Sequence, residues 1–269
     1  MWFSSYVFFA LAVSVYSVSD IILSEKVSLD DEITPSSSKI DTRIVNGQEA
    51  DIIDHPYQVS FIVNNSYFCG GFIVSENYIL TAAHCAQDVD PKTVVLRAGS
   101  SFRKNGTIIE IAEVKPFPEY DNPPFDKDIA YMKTAKPIEF SDTMKPIGLP
   151  PKSRAVQGDI VVSGWGRTMQ GASSIPDRLM SVTLPVVNYV QCFLVYPDVL
   201  TRNMFCAGNF FLGGKSTCQG DSGGAAIQDG LAVGIVSFGR GCGQPLSPSV
   251  FTNIASPILR DFLTENTGL

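Results

Sequence analysis

Past residue 44 the chain alternates short apolar runs with glycine, proline, asparagine and aspartate. Tyr57, Val59, Phe61 and Val63 recur at every second position between smaller or more polar neighbours, the period of a strand with one wet face. Val94–Leu96, Ile108–Ala112, Ile160–Val162, Val182–Val186 and Leu231–Val236 are further predicted strands. Strands spaced this way without helical patterns between them predict an all-β sandwich or barrel. The one clear helical pattern closes the chain. There Ser256 is placed to cap, Pro257 sits in the first turn, and Ile258, Leu259, Phe262 and Leu263 are predicted to form one apolar face. No internal repeat is visible.

The first 43 residues have a different texture. Tyr6 to Tyr16 form an apolar run too short to span a bilayer, ending in small residues at Ser17–Ser19. Residues 1–19 therefore read as a secretory signal, although no Lys or Arg opens them; a short membrane anchor is the rival reading. Residues 20–43 carry a net charge of −3 and the polar run Pro35-Ser36-Ser37-Ser38, with no apolar period. This is the pattern of an exposed, removable segment.

Composition narrows the function. A net charge of −7 with no basic run argues against nucleic acid as a partner. Six cysteines behind a secretory signal predict disulfides formed in an oxidising compartment, whose pairing spacing alone leaves open. Zinc is a poor rival, because no C-x2-C pair exists and only two histidines are present. The stretch 98–107 has no paired carboxylates, and no metal or cofactor is expected.

Three short stretches carry chemistry. Gly220-Asp221-Ser222-Gly223-Gly224 sets a serine among glycines that permit tight turns and close substrate approach. The backbone N–H groups of Gly220 and Ser222 can then meet the charge that develops on an attacked carbonyl. A Gly-rich turn around an ordinary serine would look the same. Thr81-Ala82-Ala83-His84-Cys85 offers an imidazole, ordinarily titrating near about 6.5, to take a hydroxyl proton. A structural histidine beside a disulfide is the plain alternative. Asp128-Ile129-Ala130 offers a carboxylate to orient that imidazole, but Asp121 and Asp126 lie close by and local chemistry does not choose among them.

Together with Ile44-Val45-Asn46-Gly47, these stretches, in this order, resemble the chymotrypsin-like (trypsin-family) serine proteases. The resemblance runs from Ile44 to Leu269 and marks residues 44–269 as the protease domain. It implies two packed six-stranded antiparallel β-barrels with a short C-terminal helix and the site in the cleft between them. It implies Ser222 as nucleophile, His84 as general base and then acid, Asp128 as the residue orienting His84, and Gly220 and Ser222 as the oxyanion hole. It pairs Cys69 with Cys85, Cys192 with Cys206, and Cys218 with Cys242.

Arg43-Ile44 resembles the family's activation junction. Cleavage there would free an α-ammonium on Ile44 to pair with Asp221, and removal of residues 20–43 would complete the change. Ser216 aligns with the base of the specificity pocket, Gly239 and Ser249 with its wall and neck, and Ser237-Phe238-Gly239 with the strand that pairs with substrate. An uncharged Ser216 predicts cleavage after apolar side chains, with Leu or Met ahead of the aromatics because Ser249 narrows the neck. Phe238 stands where the family usually has Trp, and Ala225 where it usually has Pro. The expected partners are protein or peptide substrates, an activating protease of tryptic specificity and protein protease inhibitors, for a secreted monomer. A narrow-specificity cascade protease and a catalytically silent binding homologue are the alternatives weighed against this. Asn64 and Asn105 each open a glycosylation sequon.

Overall fold

The computed structural model describes residues 47–64 and 66–269. The predicted signal, the removable segment and the junction residues Arg43 and Ile44 lie outside the described residues.

Among the described residues, fourteen strands form two antiparallel sheets. The first contains β2 (Gln58–Val63), β3 (Ser66–Ile73), β4 (Tyr78–Thr81), β5 (Val94–Ala98), β6 (Thr107–Ile109), β7 (Ile111–Pro116) and β8 (Ala130–Thr134). Their spatial order is β6-β5-β2-β3-β4-β8-β7. The second contains β1 (Gln48–Glu49), β9 (Asp159–Gly164), β10 (Met180–Val187), β11 (Met204–Ala207), β12 (Ala225–Gln228), β13 (Leu231–Phe238) and β14 (Ser249–Asn253). Here the order is β1-β10-β11-β14-β13-β12-β9, and pairing of β9 back onto β10 closes six strands into a barrel, with β1 added at its margin.

The first sheet curls for a reason visible in the chain. The predicted strand Ile108–Ala112 is broken at Glu110, whose carbonyl accepts from the Ala135 N–H at 2.8 Å. On one side of this corner β6 pairs with β5, and on the other β7 pairs with β8. The two edge strands of this sheet, β6 and β7, are thus neighbours in the chain, joined at the bend.

Two apolar interiors result. Val59, Phe61, Phe72, Ile79, Leu80, Leu96 and Met132 fill the first. Ile160, Val162, Met180, Val182, Leu184, Val233 and Phe251 fill the second. The alternation predicted for β2 is not one of wet and dry faces, because every residue but Val63 is buried. The polar face of β2 lies against the other sheet, where Ser163 Oγ donates to Gln58 Oε1 at 2.7 Å. Covering both faces is what turns a barrel strand's polar residues into buried ones.

The C-terminal helix (Pro257–Thr267) crosses back to the first core, where Leu259, Phe262 and Leu263 are buried and Phe262 meets Phe117 at 4.9 Å between ring centres. Two details differ from the sequence pattern. Ile258 points outward at 42% exposure, and Ser256 makes no side-chain cap. Its hydroxyl donates instead to Asn203 Oδ1, which ties the helix start to the loop before β11.

His55 is buried with Nδ1 3.0 Å from Tyr57 Oη. Burial lowers its pKa below the ordinary imidazole value, partly opposed by Asp54. A histidine whose folded pKa is depressed contributes stability above its unfolded pKa and loses it as pH falls through the folded value. Wild type should therefore lose more thermal stability than His55→Gln between pH 7.5 and 5, by about 2–4 °C for each kcal/mol of linkage. Melting curves of the two proteins at both pH values measure this; parallel losses would contradict it.

Candidate active site

His84 sits on a single helical turn, α1 (Ala83–Ala86), immediately after β4. Ala82, Ala83 and Cys85 are fully buried, so the turn packs down on its small residues and leaves the imidazole facing out, 31% exposed. Cys85 is bonded to Cys69 on β3, which fixes this turn to the sheet.

Asp128 enters from two residues before β8 and is buried at 1% exposure. Its carboxylate accepts from His84 Nδ1 at 2.7 Å, from the His84 backbone N–H at 2.9 Å and from Ser237 Oγ at 2.6 Å. Thr252 Oγ1 on β14 donates to the Asp128 carbonyl at 2.9 Å. A carboxylate accepts only, so His84 carries its proton on Nδ1 and turns the lone pair of Nε2 outward. Asp121 and Asp126, the two rivals, face elsewhere. Asp121 Oδ1 accepts from the Phe125 N–H at 2.8 Å, and Asp126 accepts from Thr201 and Asn203.

Ser222 is held against the same corner. Its carbonyl accepts from the Gly70 N–H at 2.8 Å, one residue beyond Cys69. Gly223 has φ +79°, and a side chain there would stand 2.2 Å from Thr81 Oγ1 and 2.5 Å from the Gly70 carbonyl oxygen. The glycine is what allows the serine loop to lie on the Thr81-Ala82 segment that leads into His84. His84 and Ser222 make no direct hydrogen bond among the described residues, where Nε2 lies 3.5 Å from Cys85 Sγ. Such pairs are often long without substrate and tighten when it binds.

The backbone of this loop is used selectively. The N–H groups of Asp221, Gly223 and Gly224 donate to carbonyls at 2.9–3.0 Å. Those of Gly220 and Ser222 have no acceptor among the described residues, and Gly220 itself holds φ +99°. Two unmet donors flanking one residue are what a developing oxyanion requires. Asp221 is buried, with Oδ1 receiving the Gly166 N–H and Oδ2 the Cys218 N–H, both at 2.9 Å. Burial raises its pKa to about 6, although both backbone donors act in the opposite sense.

Beside Ser222 lies a cavity of about 190 Å³ lined by Thr217, Gln219, Val236, Phe238, Gly239 and Ser249, among others. Its lining contains no acidic or basic side chain. Two of its lining residues are joined, Ser249 Oγ accepting from the Thr217 N–H at 3.2 Å and from Thr217 Oγ1 at 2.8 Å. Ser216 is buried but does not line the cavity: its hydroxyl donates to the Thr217 carbonyl and receives the Gly243 N–H at 2.6 Å. A larger cavity of about 660 Å³ opens at the β6 edge, lined in part by Ile108, Ile138 and Phe140, and contains no candidate catalytic residue.

The order of these elements and the pairing of the halves have known counterparts. The trypsin family profile matches residues 44–260. The chain belongs to the trypsin family of serine proteases. A trypsin of Phaedon cochleariae is 36% identical over 232 residues, covering 84% of this chain and 89% of its own length. A trypsin of Tyrophagus putrescentiae is 42% identical over 219 residues, covering 79% and 76%. The solved structure of neuropsin, a serine protease expressed in mouse brain, superposes with a TM-score of 0.74 at 28% identity, over 82% of this chain and 98% of its own.

Trypsin-family membership accounts for the cysteines as well. Cys69–Cys85, Cys192–Cys206 and Cys218–Cys242 are bonded, with Cα separations of 6.3, 5.9 and 5.2 Å, and no described cysteine is free. Loss of one such bridge typically costs about 2–5 kcal/mol. Cys69, His84 and Cys85 cluster within 4.8 Å, but two of these three groups are joined as the disulfide and offer no thiolate to a metal. No described helix is long and apolar enough to cross a membrane. Asn64 and Asn105 are both exposed.

Three residues in or against the site escaped sequence reasoning. Thr217 lines the cavity and bonds Ser249. Phe125, at φ +63°, packs its ring against that of Phe238 with centres 4.6 Å apart. Tyr67 reaches from β3 to the Gly220 carbonyl at 2.7 Å. The Ser216–Thr217 adjacency was a usable signal for the first; nothing local marks the other two.

Proposed function

We propose that this protein is a secreted endopeptidase that cuts after uncharged, apolar side chains once cleavage after Arg43 has released it from its precursor. Ser222 attacks the scissile carbonyl while His84 Nε2 takes its proton. Asp128 keeps the imidazole in the tautomer that can do so and stabilises its cation. The free N–H groups of Gly220 and Ser222 receive the oxyanion, and His84 then returns the proton to the leaving amine.

The observation that carries the specificity is the uncharged lining of the cavity beside Ser222. A Lys or Arg side chain placed there would be buried without a counter-charge, at several kcal/mol. Ser249, bonded to Thr217, takes up room that a glycine would leave open in the lining, which on this reading favours Leu and Met over Phe and Tyr. Digestion of a mixed peptide library by the processed enzyme tests this. Leu, Met, Phe or Tyr should precede the cut bond, at rates about 100-fold above Lys or Arg. The relatives named trypsin favour a second reading, cleavage after Lys and Arg; a library cut mainly there would establish that reading instead. Ser249→Gly should lengthen the cavity and move the preference towards Phe and Tyr by about tenfold, read from paired peptide substrates.

Asp221 supports the activation step. An ionised carboxylate in that burial, met among the described residues by two backbone N–H groups, calls for a cation, and the new α-ammonium of Ile44 is the one the sequence offers. Arg43→Ala should accumulate as a folded chain that trypsin treatment does not activate, whereas wild type should gain activity together with a new Ile44 terminus. Sequencing the N-terminus and assaying hydrolysis before and after treatment distinguishes the two; full activity of the treated variant would refute the step. Residues 1–19 and 20–43 are, on this reading, the export signal and the propeptide. Asn64 and Asn105 are accessible for glycans, detectable as a mass lost on enzymatic deglycosylation.

A further inference from the structure

We propose that Tyr67 is a positioning residue for the oxyanion hole: its hydroxyl fixes the carbonyl of the Gly220–Asp221 peptide and so restrains the backbone rotation at Gly220 that aims the Gly220 N–H at substrate. This rests on the site reading above. Tyr67 stands on β3 of the first sheet, and its hydroxyl donates to the Gly220 carbonyl at 2.7 Å, across to the serine loop. Gly220 is confined on both sides. A side chain there would lie 3.0 Å from Gly166 Cα and 3.3 Å from Tyr67 Cε1. With φ at +99°, the loop has a conformation that glycine tolerates but does not itself enforce. Nothing else among the described residues donates to the Gly220 carbonyl. The peptides on either side are tied as well, the Gln219 carbonyl by the Arg167 N–H at 2.7 Å and the Asp221 N–H to the Cys218 carbonyl at 3.0 Å. The phenol adds the one bond to the Gly220 carbonyl between them, and without it the backbone at Gly220 that aims the N–H has one restraint fewer.

The ring is itself held in place. It meets Trp165 edge-on at 6.2 Å and packs with Ile52, Leu179 and Ala50, while Trp165 Nε1 donates to the Ser101 carbonyl at 3.1 Å. Burial, and then the nearby Asp221 carboxylate, push the phenol above its ordinary pKa, so it remains a donor throughout the working range. Ala50 and Ile52 belong to the segment that follows the activation junction, and both are bonded to this region, Ala50 N–H to the Leu179 carbonyl and Ile52 N–H to Ser101 Oγ.

The test uses processed enzyme. Tyr67→Phe should lower kcat by about 10-fold or more, between the loss of one hydrogen bond and the loss of a whole oxyanion donor, with KM changed less than about twofold. Affinity for a peptide boronate, which mimics the tetrahedral oxyanion, should fall by the same factor. Affinity for the same peptide as its carboxylate product should not change. Trp165→Phe, which loosens the packing but leaves the hydroxyl, should lower thermal stability and spare kcat. Tyr67→His, a ring with a donor, should recover part of the loss; equal deficits in Tyr67→His and Tyr67→Phe would assign the effect to packing and overturn the proposal. So would wild-type kcat and boronate affinity in Tyr67→Phe. Fluorophosphonate labelling of Ser222 in wild type checks the site reading separately: labelling with an unaffected Tyr67→Phe rejects only the positioning role, and absence of labelling rejects the site.

Discussion

Replacing Ser222 by Ala should lower kcat by about 10⁶-fold and abolish covalent labelling by a fluorophosphonate. The hydroxyl is the only group in the arrangement that can form the acyl bond, and its backbone is fixed by the Gly70 N–H whatever the side chain. The fold should therefore survive, and the melting temperature of the variant should stay close to wild type. His84→Ala should be about as damaging. The double variant should be scarcely worse than either, because nucleophile and base act as one unit and removing one leaves the other without a task. What remains in all three should reflect substrate binding and the two free N–H groups, worth about 10³–10⁴ over water. Single-turnover kinetics of the four proteins settles the matter; losses that multiply would show that His84 and Ser222 work separately.

The second large effect is expected at Asp128. Asp128→Asn should lower kcat by about 10⁴-fold at neutral pH with little change in KM. The size follows from the donors around this carboxylate. Both oxygens accept, Oδ1 from the His84 N–H, Oδ2 from His84 Nδ1 and Ser237 Oγ. An amide in that place must turn an NH₂ towards donors. The simplest relief is for His84 to move its proton to Nε2, which removes the lone pair that Ser222 needs. Ser237→Ala, which takes away one donor and leaves the tautomer alone, should cost far less, about 10-fold or below. Steady-state kinetics of both variants measures the contrast, and comparable losses would mean that burial of the carboxylate, not the tautomer, matters most.

These two expectations differ in how they could be reached. Ser222 and His84 stand in short stretches whose chemistry is local: glycines on each side of the serine, alanines and a cysteine around the histidine. Those neighbours have visible tasks, since Gly223 lies on Thr81 and Ala82 and Ala83 let the helical turn sink. Asp128 was different. Three aspartates within eight residues offer the same carboxylate, and resemblance to a family was needed to choose one. The structure supplies the physical distinction: one meets an imidazole, one caps its own loop, and one joins Thr201 and Asn203.

The pocket shows the same limit. Resemblance puts Ser216 at the base of the pocket and Ser249 at its neck, yet the Ser216 hydroxyl receives the Gly243 N–H, and it is Thr217 that lines the cavity and bonds Ser249, on a separate segment that meets it only in the fold. The corner at Glu110 and the outward turn of Ile258 were likewise misjudged, because a run of apolar residues does not reveal where a sheet must bend or what a helix will dock against.

Taken alone, the amino-acid order determined what is encoded by near neighbours: the β texture, the closing helix, the cysteine count, and the serine and histidine stretches with their required glycines and alanines. Tertiary structure alone decided which aspartate serves the imidazole, which hydroxyls bound the cavity, and that a tyrosine from one sheet reaches the loop of the other. The reason is physical. Backbone conformation and burial patterns are set over a few residues, whereas hydrogen bonds such as Tyr67 to Gly220 join positions 153 apart and exist only once both sheets have formed and packed.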